Sequence, residues 1–98
     1  MPVFILDMEH SPEMCPMYND KIRKKFKQQY SKMKEIAAKL DIKILINLSV
    51  AMDHTSLLIL EAPTVESMEN FVMEMGLISF QTITMRHAIN TDEVVERF

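Results

Sequence analysis

Along the chain the hydrophobic positions switch between two patterns: dense or alternating runs that suit strands, and three-to-four-residue recurrences that suit helices. Val3 to Met8 is nearly all apolar, which predicts a strand with both faces buried, and Glu9 and His10 end it. Ser11-Pro12-Glu13 is a turn signal. Cys15-Pro16 then predicts the start of a helix, because proline is favoured at the first helical position. From there Met17, Ile22, Phe26, Tyr30, Met33, Ile36, Ala37 and Leu40 form one apolar stripe, with lysines around the remaining faces.

Ile42 to Val50 predicts a second strand, with Ile44, Ile46, Leu48 and Val50 on one face and Leu45, Asn47, Ser49 and Ala51 on the other. The polar break Met52-Asp53-His54-Thr55 separates it from a third apolar run, Ser56 to Ala62, so the two runs read as a hairpin. Pro63-Thr64 opens a second helix, with Thr64 as its cap, Glu66 complementing the helix dipole, and Val65, Met68, Val72 and Met75 as its stripe. Gly76, the sole glycine, falls where a helix needs a left-handed C-terminal residue. Leu77 to Ala88 predicts the last strand, and Thr91-Asp92-Glu93 in the tail suits one more helical turn.

The order β-α-β-β-α-β predicts an α+β, ferredoxin-like domain spanning residues 1–98: a four-stranded antiparallel sheet in the order 4-1-3-2 with both helices on one face. Both sheet faces are then apolar, with Phe4, Leu6, Leu45, Leu58, Leu60, Ile83 and Met85 on one side and Val3, Ile5, Ile46, Leu57, Ile59 and Phe80 on the other. Two helices cover only one of them. Soluble monomers avoid exposing a patch of that size, so the expected partner is a second copy of the chain, sheet on sheet.

The segment from Thr55 to Gly76, a strand ending in Glu61-Ala62 followed by a capped amphipathic helix and a glycine, resembles the second half of the small dimeric α/β-barrel proteins. With the first βαβ unit the resemblance covers nearly the whole chain. That superfamily includes cofactor-independent monooxygenases, muconolactone-isomerase-like enzymes, haem proteins and ligand-sensing domains. It shares no motif, so the resemblance implies the fold, a homodimer and a small-molecule site of monooxygenase, isomerase or binding type, and carries over no residue's role.

Composition narrows the chemistry. Ninety-eight residues make one domain. One glycine excludes the glycine-rich phosphate cradles of nucleotide enzymes, and one cysteine excludes an intrachain disulfide and any CxxC zinc site. Met1-Pro2-Val3-Phe4 lacks a basic region followed by a long apolar stretch, and uncharged runs such as Ile44 to Met52 fall far short of the roughly 20 residues that span a bilayer, so a cytoplasmic protein with no membrane partner is expected. Eight of the eleven basic residues lie between Lys21 and Lys39, while the stretch between Lys43 and Arg86 carries only acidic charge. With a sequence pI near 5.5 and no aromatics interleaved among the lysines, this reads as a solvated helix face complementing an acidic neighbour and not as a nucleic-acid footprint.

The expected topology gathers Glu9, His10, Met14, Cys15, Met17, Met52, Asp53, His54 and, from the end of the second helix, Met75 at one end of the sheet, with His87 at the other. Three chemistries follow. A helix N-terminus beside Cys15 would favour its thiolate, with His10 close enough to assist. His10, Met14, Cys15 and Met17, joined by His54, offer thioether, thiolate and imidazole donors that suit Cu(I). Cys15-Pro16 also resembles short haem-responsive motifs, on two residues alone; no cofactor is otherwise expected. Finally, an apolar pocket with the polar insertions Asp7, Tyr18, Tyr30, Asn47 and Gln81 would suit a small molecule, with Asp7, Glu9 or His10 as a proton-transfer group; the alternative to all of these is a dimerisation module without chemistry, with neither pocket nor metal.

Overall fold

The computed structural model describes all 98 residues. Strand β1 (Val3–Glu9) leads through a short 3-10 turn (Pro12–Met14) to helix α1 (Asp20–Lys39), strand β2 (Lys43–Val50), a second 3-10 turn (Ala51–Asp53) and strand β3 (Thr55–Glu61). Helix α2 (Val65–Met75), a third 3-10 turn (Leu77–Ser79), strand β4 (Thr82–Ala88) and a short helix α3 (Thr91–Glu96) complete the chain. The strands form one antiparallel sheet in the order β2-β3-β1-β4, which is the expected 4-1-3-2 arrangement read from the other edge.

The two principal helices cover one face. Phe4, Leu6 and Met8 of β1 and Leu58 and Leu60 of β3 point into a core completed by Met68, Phe71 and Met75 of α2, Ala37 of α1 and Leu77. On α2 the buried stripe is Met68, Phe71, Met75 with Val72 partly buried, the i, i+3, i+4, i+7 set. Val65, expected in that stripe, lies in the first turn and is 49% exposed. Thr64 caps α2 as expected, its hydroxyl accepting from the Ser67 N–H at 3.0 Å, and Gly76 ends it at φ 65°.

Three local expectations change. Helix α1 begins at Asp20, four residues beyond Pro16. Cys15 precedes a proline, which disfavours helical backbone, and it adopts φ −71°, ψ 126°. Asn19 supplies the cap instead: its side-chain oxygen accepts from the Ile22 N–H at 3.1 Å while its amide donates to the Glu13 carbonyl at 2.9 Å. Cys15 therefore closes a 3-10 turn and does not sit at a helix N-terminus.

The second change is a bulge in β2. Register with β3 runs Ile44 to Leu60 and then Ile46 to Ile59, so Leu45 is the extra residue. One inserted residue exchanges the faces of everything beyond it. Ile44 thus shares the helix-covered face with Asn47 and Ser49, while Ile46, Leu48 and Val50 lie on the open face. The third change is in β4, which starts at Thr82 because the left-handed Gly76 leads into the 3-10 turn and Leu77 is drawn into the core.

The open face carries Val3 and Ile5 of β1, Leu57 and Ile59 of β3, and Ile46, Leu48 and Val50 of β2. Neither α1 nor α2 lies over it. No helix of the chain is long and apolar enough to cross a membrane.

Candidate functional site

Two places on the framework gather chemically useful side chains. The first lies between α1 and the helix-side face of the sheet. The bulge at Leu45 aims Asn47 and Ser49 toward α1, and in register with them stand Leu58 and Ser56 of β3, followed by Met8 of β1. These floor a cavity of about 220 Å³ that Phe26, Gln29, Tyr30 and Met33 roof from α1, with Met75, Leu77 and Gln81 closing the far side. Tyr30, Met33 and Asn47 also border a wider groove of about 620 Å³ that runs outward along the β2 edge past Lys34 and Ile44.

The polar groups of this cavity are weakly engaged. The Asn47 amide reaches only the Met33 sulfur, at 3.9 Å, and the Gln81 amide only the Met8 sulfur, at 3.6 Å; a thioether is a weak acceptor. Gln29 donates to the Gly76 carbonyl at 3.0 Å and leaves its own oxygen buried without a partner. Of the residues expected to line a pocket, Tyr30, Asn47 and Gln81 converge here. Tyr18 is 81% exposed on the loop before α1. Asp7 faces the other side of the sheet, where its carboxylate meets the Arg86 guanidinium at 2.8 Å. Asp7 and Glu9 border a depression of about 340 Å³ on that open face, together with Thr55, Leu57, Thr82 and Thr84. No carboxylate or imidazole lines the cavity under α1. Gln29, Ser49 and Ser56 were absent from the sequence-based expectations; the pair Gln28-Gln29, uncharged among lysines, was the available signal.

The second place is the end of the sheet where β1 and the β2–β3 hairpin finish. His10 follows β1, and its N–H donates to the His54 carbonyl at 3.1 Å. His54 itself is left-handed, at φ 61°, closing the 3-10 turn of the hairpin. Their rings meet edge-on with centroids 5.3 Å apart, and Phe80 packs on the far side of His10 at 6.4 Å. Cys15, 3% exposed, completes the group: its sulfur and one ring nitrogen of each histidine all lie within 4.8 Å of one another. Burial, with a smaller contribution from the neighbouring His54, holds the His10 imidazole below its ordinary value of 6.5, favouring the neutral ring. His10 Nε2 and His54 Nδ1 are buried without hydrogen-bond partners. Met14 is partly buried, whereas Met17 and Met52 are 58% and 95% exposed. His87 lies at the opposite end of the sheet against Phe4, with ring centroids 5.4 Å apart.

The crystal structure of muconolactone isomerase superposes on this chain with a TM-score of 0.57 over 90% of the chain and 88% of the isomerase, at 17% sequence identity. The fold is ferredoxin-like. At that identity the ferredoxin-like likeness fixes the path of the chain and leaves the side chains of the site to be read on their own terms. No protein-family model matches the sequence, and no curated protein matches it significantly.

Proposed function

We propose that this chain binds a small, largely apolar organic molecule of about one ring in the cavity between α1 and the sheet. The observation that carries the reading is the convergence of three carboxamides, Gln29, Asn47 and Gln81, on an apolar-walled cavity in which two reach only sulfur and the third leaves an oxygen unpartnered. Apolar walls with a few placed polar groups are what a small-molecule site needs. Amides both donate and accept, so they match hydroxyl and carbonyl groups and supply no charge. Lys34, at the border of the outer groove, favours a ligand with an acidic substituent directed outward. The ligand class is therefore a cyclic lactone, phenol or enol-bearing ring acid, in keeping with the muconolactone named for the structural neighbour. Neutral carboxamides are the polar groups that converge on the cavity, and the reading is therefore a binding site.

The test is a titration of the full chain with muconolactone, benzoate and p-cresol, followed by two-dimensional ¹H–¹⁵N NMR. The expected result is saturable shifts of the Asn47 and Gln81 side-chain NH₂ signals and of the Tyr30 and Met33 amides. Shifts confined to the open sheet face, or none with any of the three probes, would overturn the reading.

The same reading includes a second copy of the chain on the open face. The protein exposes 6775 Å² of surface, about 1,000 Å² more than a compact monomer of its mass, and one partner in a standard interface buries about 800 Å². Asp7 and Arg86, the charges paired on that face, satisfy each other, so covering them strands neither.

A further inference from the structure

We infer that His10, Cys15 and His54 form a binding site for a soft monovalent metal ion, Cu(I), held by one thiolate and two neutral imidazoles. Three separate segments bring these side chains together, and each is fixed by its backbone. The His10 N–H bonds to the His54 carbonyl at 3.1 Å, and His54 occupies a left-handed turn position. The Cys15 N–H donates to the Pro12 carbonyl at 3.3 Å, while the Cys15 carbonyl accepts from the Asn19 N–H at 2.9 Å. With the backbone held, only side-chain rotation is needed to close the donors on an ion.

The polar atoms of the cluster are otherwise idle. His10 Nε2 and His54 Nδ1 are shielded from solvent and have no hydrogen-bond partner, and Cys15 is 3% exposed. Buried polar groups in folded proteins are nearly always satisfied, so two orphaned imidazole nitrogens beside one buried thiol need an explanation, and a shared ion provides it. The distances allow this. A trigonal centre with bonds of about 2.0 Å to nitrogen and 2.3 Å to sulfur holds its donors about 3.7 Å apart, so donors already within 4.8 Å of one another must each approach by no more than about 1 Å.

Charge and donor number select the ion. A thiolate and Cu(I) sum to zero, which suits a site walled by Phe80 and containing no carboxylate. Zn(II) would leave one uncompensated positive charge in the same surroundings and would need a water drawn into this buried site as its fourth ligand. Sulfur favours the softer ion. Binding releases the thiol proton to solvent, because the ligand is the thiolate. None of the three residues lines the cavity under α1, so this site stands or falls independently of the small-molecule reading.

The experiment is an anaerobic titration of the reduced full chain with Cu(I) against the chromophoric chelator bicinchoninate. One Cu(I) per chain is expected to leave the chelator, and Cys15→Ala and His54→Asn each weaken retention by more than about 100-fold. Asparagine tolerates the left-handed backbone of His54, so that variant keeps the turn while removing the imidazole and decides the matter if Cys15→Ala fails to fold. His87→Asn, at the far end of the sheet, retains the metal like the unmodified chain. Failure of the unmodified chain to withdraw Cu(I), equal retention in both site variants, or displacement of Cu(I) by equimolar Zn(II) would each overturn the assignment.

Discussion

The Gln29 Nε2 donates to the Gly76 carbonyl at 3.0 Å, and the same nitrogen lies 3.1 Å from where a Cβ on Gly76 would stand. One side chain of α1 thus rests directly on the left-handed residue that ends α2, and that contact is one wall of the cavity. Gly76→Ala meets both a φ of 65° and this crowding. The backbone cost alone is about 1–2 kcal/mol, a fall in Tm of about 5–15 °C for a domain of this size. Thermal unfolding of Gly76→Ala beside Gln29→Ala separates the two effects: the glycine variant is expected to lose more, because it strains the backbone as well as displacing the amide.

Ser67 links the same two helices at their other ends. Its hydroxyl donates to the Leu40 carbonyl, the C-terminal cap of α1, at 2.8 Å, and it is the one buried polar residue of the chain. Ser67→Ala leaves that carbonyl without this partner and costs about 1–3 kcal/mol. The exposed Lys39–Glu74 pair, at 3.2 Å between the same helices, contributes far less. Urea unfolding of Ser67→Ala and Lys39→Ala is expected to rank them in that order, with equal m-values.

The order of the strands, the capped α2 and its terminal glycine were legible because each rests on a local rule that tertiary packing did not override. The start of α1 was not. Pro16 and Asn19 both carry a helix-start signal, and the competition is settled by the bonds from Asn19 to Ile22 and Glu13, reinforced by Arg23, which donates to the Pro16 and Met17 carbonyls at 2.9 and 2.6 Å. The bulge at Leu45 was equally silent, since an alternating run reads the same whether or not one residue is skipped in pairing. Its consequence reaches the site, because it turns Asn47 and Ser49 inward beneath α1. For the cysteine cluster, topology placed His10, Cys15 and His54 at one end of the sheet; that their donors come within 4.8 Å depends on turns at Pro12–Met14 and Ala51–Asp53 whose geometry no spacing rule predicts.

Asn47 separates ligand binding from folding. It is exposed to the cavity mouth and engaged only by the Met33 sulfur, so Asn47→Leu removes a ligand partner without breaking a strong internal bond. Stability is expected to stay within about 0.5 kcal/mol. The Kd for a bound probe such as benzoate or muconolactone rises about five- to tenfold, the worth of one hydrogen bond. Equal affinities in calorimetric titrations of the two proteins would remove Asn47 from the site.

The open sheet face makes the most direct prediction about assembly. Ile59 lies at the middle of β3, paired with Ile5 on one side and Ile46 on the other, and all three side chains share the face opposite α1 and α2. A dimer packed through this face buries that row against its counterpart, sheet on sheet. Sedimentation equilibrium of the unmodified chain is then expected to give twice the 11.4 kDa of one chain. Ile59→Arg places a guanidinium in the centre of the contact, in the apolar row of Ile5 and Ile46 and with the nearby Asp7 already paired with Arg86. Burying that charge in the contact costs about 3–5 kcal/mol, about two to four orders of magnitude in the dimer Kd, so the variant sediments as a monomer at micromolar concentration with its far-ultraviolet circular dichroism unchanged. A monomeric unmodified chain, or a variant that remains dimeric, would show that the face is covered in some other way.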